Sequence, residues 1–387
     1  MKKIFKIILS YLLITFNTFV FAIENKDENI LKIGALLPFT GELKDLGEDM
    51  LYAINLALHD IDNPKIKIHF KDSGSNKEKI IKSCEEFREE GIKIIIGPID
   101  SKFFKELNNF EDLLFISLSN INQDIKKNII MMGVNLESQL LTIKKFIKKE
   151  KRKKTVILYP KNKYAKHVEK NIKLANFTNT KLFSYSEDPK ILTKQIERLT
   201  NYKQRKINLN SRVKKLEGSE EPKDIRELAM LKQKYTLGRV NFDSIIIIDF
   251  GDGLKSVLTS LAYTDVSAKD ILIITGNQWF DNSILKETSI KNFYFPSINL
   301  KNFQKFNKKF YEVHNYKPNE ITILAYDTVG LIYYVWKNQK NIVSASNFNL
   351  KKDIKGKIGK FKISDNKVIQ KLNIYKLEEG KFIENKF

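Results

Sequence analysis

Apolar and polar positions fall in alternating blocks along the chain. Ile30 to Leu37 is an apolar run closed by Pro38, which reads as a buried strand. Thr40-Gly41 turns the chain, and from Gly47 to Asp62 the apolar positions Met50, Ile54, Leu58 and Ile61 recur at helical spacing. Ile66 to Phe70 alternates with period two, as a half-covered strand does. Asn76 to Glu90 is a charged amphipathic helix, Lys93 to Ile96 a strand stopped by Gly97-Pro98, Ser101 to Asn108 a short helix, and Leu113 to Ser117 a fourth strand. Strands that alternate with helices through short connections predict a parallel sheet covered on both faces.

The same rhythm resumes after Gly133. Helices are predicted over 139–149 and 163–175, with strands over 155–159 and 180–185, and a long helical stretch over 190–215. The run Ser244 to Asp249, with Ile245 to Ile248 at its centre, is apolar enough for a central strand. A helix over 253–262 and strands over 271–275 and 292–296 follow, then helices over 304–311 and 321–338, and two strands between Gly359 and Phe382. One segment breaks the economy of short connections. Tyr202 to Val240 reads as two polar helices joined at Gly218-Ser219, where an ordinary connection takes about 2–6 residues. Such an insertion is either an added interaction surface or a surface elaboration.

The first 22 residues carry Lys2, Lys3 and Lys6, then a mostly apolar stretch from Ile7 to Phe21, then Val20-Phe21-Ala22. That is the layout of a cleaved secretory signal peptide, with a mature chain from about Ile23 and an expected periplasmic location. The apolar stretch is short for a membrane span. No cysteine follows the cleavage point, so a lipid anchor there is not expected. Cys84 is the single cysteine, and it leaves no intrachain disulfide.

The 387 residues predict two domains, and an apolar content of 42% suffices for real cores. Net charge is +22, with 68 Lys+Arg against 46 Asp+Glu. A field that basic favours acidic partners, but Lys, Asn and Ile are heavily used in every segment, so the charge also reads as compositional bias. The cluster at 144–154 is the sharpest basic stretch and suits the end of a solvated helix. Export argues against a nucleic-acid role. The four histidines, His59, His69, His167 and His314, are scattered without metal-ligand spacing, and no nucleotide loop, nucleophile elbow or zinc motif is present. Neither enzyme activity, cofactor nor metal is expected.

The opening IGALLPFTGELKDLGEDMLYAINLALHDID, then IKIHFKDSGSNKEKIIKSCEEFREEGIKIIIGPIDS, and the later FDSIIIIDFG, ILIITGNQWFD and LAYDTVGLIYYVW resemble, in order and spacing, the type I periplasmic binding proteins of the leucine-binding kind. The resemblance covers residues 31–340. It implies an α/β fold of two Rossmann-like lobes joined by a three-strand hinge, with ligand in the cleft between them. Lobe 1 would take 31–134 with 298–341, and lobe 2 would take 135–297 with 342–387, carrying the inserted hairpin at 202–240. Ligands of open α/β sheets bind outside the carboxyl ends of strands. The cleft candidates are therefore Thr40, Ser101, Ser117, Ser119, Asn120, Tyr164, Phe250 and Gln278.

An α-amino acid needs donors for its carboxylate and an acid for its ammonium. The resemblance gives Ser101 a carboxylate-binding role and Tyr164 the cleft tyrosine. It also puts Ile121 where the family has a threonine, Leu46 where it has an aromatic, and neutral Gln278 where it has the ammonium-binding glutamate. Asp249, Asp252 and Asp281 could supply the missing charge, but each also suits a cap or turn. A second resemblance, over 205–290, is to penicillin-binding protein activators, which use the receptor fold to stimulate cell-wall synthases. It rests on the charged hairpin, TLGRVNFDSIIIID and GNQWFDNSILKE. The implied partner is a membrane-bound cell-wall synthase on one reading. On the other it is a small cleft ligand, an amino acid or similar solute, handed to a transporter permease.

Overall fold

The structure is a computed structural model that describes residues 30–121, 125–281, 283–284, 292–339, 342, 344–364 and 366–386. The expected signal peptide at 1–22 lies outside the described residues. Apolar runs become strands where both faces are covered: Ile94–Ile96 (β3) and Ser244–Ile247 (β8) are buried at every position, as parallel strands between helical layers require.

The first sheet is built from β1 (Leu31–Leu37), β2 (Ile66–Asp72), β3, β4 (Leu114–Ser117) and β5 (Ile129–Met131). Between these strands lie α1 (Lys44–Ile61), α2 (Lys77–Glu89) and the short α3 (Phe104–Leu107), which a 3-10 turn at Ser101–Phe103 introduces. The chain then enters a second sheet through α4 (Leu136–Lys149), β6 (Thr155–Pro160), α5 (Ala165–Leu174), β7 (Thr180–Tyr185) and α6 (Pro189–Leu199). It continues through the inserted α7 (Tyr202–Leu216) and α8 (Pro222–Leu231), then β8, α9 (Gly251–Tyr263), β9 (Leu272–Thr275) and β10 (Tyr294–Ser297). It returns to the first lobe for α10 (Leu300–His314), α11 (Ile323–Gln339), β11 (Ile354–Gly356), β12 (Gly359–Ser364) and β13 (Lys367–Lys371). It ends on the second sheet with β14 (Asn373–Glu378) and β15 (Lys381–Asn385). Strand order is β11-β12-β13-β5-β4-β3-β1-β2 in one sheet and β15-β14-β10-β9-β8-β6-β7 in the other. The β1–β5 ladder and the β6–β10 ladder are parallel throughout.

The chain thus passes between the sheets three times, at 132–135, at 298–299 and at Leu372. Side chains tie these crossovers together. Asn135 caps α4 by accepting the Ser138 N–H, and its amide donates to the Val368 carbonyl at 2.6 Å. Gln370 donates to the Met132 and Gly133 carbonyls at 3.3 and 2.9 Å, and its own N–H reaches the Ser138 hydroxyl. Tyr375 donates to the Ile298 carbonyl and accepts the Leu300 N–H, both at 2.9 Å.

Three details differ from the periodicity. The stretch 190–215 is not one helix: Asn201 takes a left-handed conformation at φ 52°, which Asn tolerates and most side chains do not, and it separates α6 from α7. Where two strands are expected between Gly359 and Phe382, the described residues carry β12, β13, β14 and the start of β15, with β11 just before them. Residues 342–387 also do not all go with lobe 2. β11, β12 and β13 extend the first sheet, through parallel pairing of β13 with β5, and only β14 and β15 extend the second. Short antiparallel strands at a sheet edge carry little periodicity, and nothing local says which sheet an edge strand will join.

Candidate functional site

The parallel strands of each sheet place their carboxyl ends along one edge, so the loops after β1, β3 and β4 in lobe 1 and after β6, β8 and β9 in lobe 2 are the ones a ligand would meet. In lobe 1, Thr40 follows β1. Its N–H and hydroxyl both donate to Asp72, and Lys79 donates to that hydroxyl and to the carboxylate at 2.9 and 2.8 Å. Asp72 also accepts the Phe39 and Gly74 N–H groups. Burial opposes its charge, yet the Lys79 and Thr40 bonds hold the carboxyl well below its usual range. Thr40 is therefore part of a closed local cluster.

Ser101 follows Asp100, which caps the 3-10 turn by accepting the Lys102 N–H. Ser117 is fully buried; its hydroxyl donates to the Pro98 carbonyl at 2.6 Å and accepts the Ser119 N–H. Ser119 in turn accepts the Ile121 N–H, while Asn120 is exposed. This loop lies against the first crossover: a Cβ on Gly133 would come within 2.1 Å of the Ser119 carbonyl oxygen. Ser117 and Ser119 are brought together, but their hydroxyls brace the loop.

In lobe 2, Tyr164 and Phe250 are exposed, at 46% and 54%. Lys163 lies over the Tyr164 ring at 5.3 Å. Gln278 is buried, and its amide donates to the carbonyls of Asp249 and Gly276 at 3.3 and 3.1 Å and to the Thr275 hydroxyl at 3.4 Å. Phe250 lies over Gly276, so Phe250, Gly276 and Gln278 share one corner of the lobe. The nearby Gln139 accepts the Asn277 N–H and donates to the Val134 carbonyl, which ties this corner to the crossover.

The three aspartates have local roles. Asp249 accepts the Phe250 N–H at the start of α9 and the Tyr185 hydroxyl; burial raises its pKa while those two donors pull it down. Asp281 accepts the N–H and hydroxyl of Ser283 in a turn. Asp252 is solvent-exposed beside Lys255. Among the described residues, no group of His, Cys, Asp and Glu could hold a metal ion.

The inserted hairpin is built as a small domain edge. Leu209, Leu216 and Leu231 form its own buried cluster, with Val213, Leu228 and Leu237 against them. Arg212 and Glu227 make a two-pronged ion pair between the helices at 2.7–2.8 Å. Arg205 is buried and fastens the base. Its guanidinium donates to the carbonyls of Gly238, Thr264 and Asp265 at 3.0–3.2 Å and to the Thr236 hydroxyl at 2.7 Å. The Tyr202 and Tyr263 rings pack at 5.3 Å beside it. Ile207, Ile225, Met230 and Tyr235 are left exposed on the insertion. Sequence reasoning missed Arg205, because one arginine in a charged helix carries no signal of burial. It also missed Asn135, whose position just before a helix was a usable cap signal.

Residues 30–176 match the sequence model of the periplasmic binding protein family. No curated protein sequence matches the chain. Solved structures do. A leucine-binding protein from Thermotoga maritima aligns with a TM-score of 0.56 at 13% identity, over 92% of this chain and 98% of that one. The substrate-binding protein of an ABC transporter from Desulfitobacterium hafniense, in complex with Leu, aligns with 0.59 at 15%, over 92% and 99%. The C-domain of LpoA from Haemophilus influenzae, a regulator of PBP1A, aligns with 0.60 at 15%, over 92% and 99%. With its two parallel-dominated sheets, its three crossovers and the family match across residues 30–176, the chain has the fold of the type I periplasmic binding proteins.

Proposed function

We propose that this chain is an exported, non-catalytic protein that works by protein–protein contact, stimulating a membrane-bound cell-wall synthase. The observation that carries this reading is the inserted hairpin: it is folded on its own core and locked by a buried arginine, yet it leaves Ile207, Ile225, Met230 and Tyr235 in water. An ordered insertion of that size with exposed apolar side chains suits a partner surface. The cleft supports the same reading. The Ser117 hydroxyl and the Gln278 amide nitrogen are engaged in internal bonds, and the neutral Gln278 offers an ammonium no countercharge. One structural neighbour, LpoA, is a regulator of PBP1A.

The competing reading is a solute receptor for a transporter, as the leucine-bound neighbour is. The test measures glycan-strand synthesis by the organism's own membrane-bound synthase, with the intact chain and with the chain shortened by residues 202–240. Stimulation by the intact chain that the shortened, still cooperatively folded chain lacks supports the proposal. A thermal melt against amino acids distinguishes the alternative: a selective rise in midpoint, worth about 2.7 kcal/mol at 100 times the dissociation constant, together with no stimulation, would replace the proposal by the receptor reading.

A further inference from the structure

The loop that leaves the hairpin, from Gln233 to Asn241, is neither helix nor strand. It forms one wall of a groove of about 1070 Å³ whose other side is the start of β6, the approach to β8 and the turn before β9. These are the amino ends of the parallel strands, so the groove opens on the face of lobe 2 opposite the cleft. Five cations line it that hold no carboxylate partner among the described residues: Arg152, Lys154, Lys234, Arg239 and Lys269. The Nε of Arg152 is buried without a hydrogen-bond partner. The acids of the groove are already engaged. Asp243 accepts the N–H groups of Lys153 and Lys154 at 2.8 and 3.0 Å. Asp265 takes the Thr236 hydroxyl and faces Arg205, and Asp270 takes the Ser267 hydroxyl at 3.3 Å. Tyr235 stands at the rim, 77% exposed.

We infer that this groove binds a short, extended, acidic segment of a partner protein, through carboxylates set on Arg152, Arg239, Lys234 and Lys269 and an apolar residue set on Tyr235. The volume is that of a small-ligand or few-residue site, which lies at about 300–1,000 Å³. Guanidinium groups take carboxylates two-pronged, and Arg152 and Arg239 bring two of them to one groove. A peptide is favoured over a uniformly charged polymer because Asp243 and Asp270 remain in the wall. A polymer must lay negative charge against them, whereas a peptide can put a neutral or basic residue there. The inference does not depend on the cell-wall reading: it concerns a different face from the cleft and holds for any partner with such a segment.

The test is fluorescence anisotropy of the full chain with a labelled peptide of sequence Glu-Asp-Leu-Glu-Asp-Leu-Glu at physiological salt, where non-specific attraction is screened beyond about 8 Å. The groove variant carries Lys234→Glu and Arg239→Glu. The control carries Lys166→Glu and Lys173→Glu, on the exposed basic face of α5 in the same lobe. All four side chains are exposed, and a thermal melt confirms that both variants fold. Loss of about tenfold in affinity for the groove variant, with the control within about twofold, is the expected result. Equal losses in both variants would show the general basic field of the chain at work and overturn the inference. So would inorganic polyphosphate that displaces the peptide at equal charge concentration from the control and intact chains alike, or no peptide binding at all.

Discussion

Arg205→Met should release the hairpin without unfolding the lobes. The arginine sits in the first turn of α7, and its guanidinium satisfies the Gly238, Thr264 and Asp265 carbonyls and the Thr236 hydroxyl. Methionine keeps much of the stem's packing and removes all four donors. Each acceptor stranded in a buried site costs about 1–3 kcal/mol, but Asp265 and the rim carbonyls can recover water. With one or two of these acceptors left stranded and the others rehydrated, the local loss here should be about 3 kcal/mol. Because the hairpin has its own small core, the loss should appear as local opening. Amide hydrogen exchange read by mass spectrometry should then speed up about 100-fold across α7 and α8, at about 1.4 kcal/mol per tenfold. Peptides from β6, β8 and β9 should change little. Arg205→Lys should rescue only partly, because an ammonium offers three donors from one point and cannot span four separated acceptors. Unchanged exchange across 202–231 in the methionine variant would refute the view that this arginine is the lock. A uniform rise over both lobes would refute the view that the insertion opens as its own unit.

Two further substitutions probe the scaffold beneath the site. Asp327, buried on α11, accepts the Lys357 and Ile358 N–H groups at 2.8 Å, and burial pushes its carboxyl up to about 6 despite them. An aspartate ionises near 3.9 when unfolded, so the folded chain binds the extra proton between those values. This group's contribution to stability is therefore largest at low pH, falls as pH rises from about 4 to 6 and is flat above. Asp327→Asn should remove that slope from denaturant midpoints measured across the window, at a cost of about 1–3 kcal/mol from an amide that cannot accept both N–H groups; an unchanged slope would count against it. Tyr375→Phe removes the hydroxyl that joins the Ile298 carbonyl to the Leu300 N–H at the second crossover. It should cost about 1–2 kcal/mol in urea unfolding, and a variant as stable as the parent would show that the crossovers are held by packing alone.

Most of the fold was legible because parallel strands buried on both faces write themselves as unbroken apolar runs. β1, β3, β4, β6, β8 and β9 all stand where Val, Ile and Leu cluster. What was not legible depends on contacts between distant residues. β5 is three residues long and recognisable only beside β4. The break at Asn201 needs a backbone angle that Asn permits but does not demand. β11 to β13 read as edge strands of no particular sheet until β13 pairs with β5. Hydrophobic pattern says that a strand is covered; it does not say by what.

The candidate site shows the same boundary more sharply, because hydroxyls and amides are ambiguous by chemistry. A serine after a strand can face a ligand or brace its own loop, and Ser117 braces: its hydroxyl meets the Pro98 carbonyl across the loop it begins. Gln278 does the same in the other lobe with three acceptors around one amide nitrogen. Both sit at positions where a receptor would want free donors, and both are committed to a backbone that adjoins a crossover. Asn135, Gln139 and Gln370 extend these ties into the connections between the lobes. At Ser117 and Gln278 the polar groups hold loops and crossovers, while Asn120 and Tyr164 stay exposed at the same strand ends. In the same lobe as Gln278, the buried arginine at the base of the insertion ties α7 to the loop at Thr236 and Gly238 and to the end of α9 at Thr264 and Asp265, so a single side chain holds the hairpin in one position on its lobe.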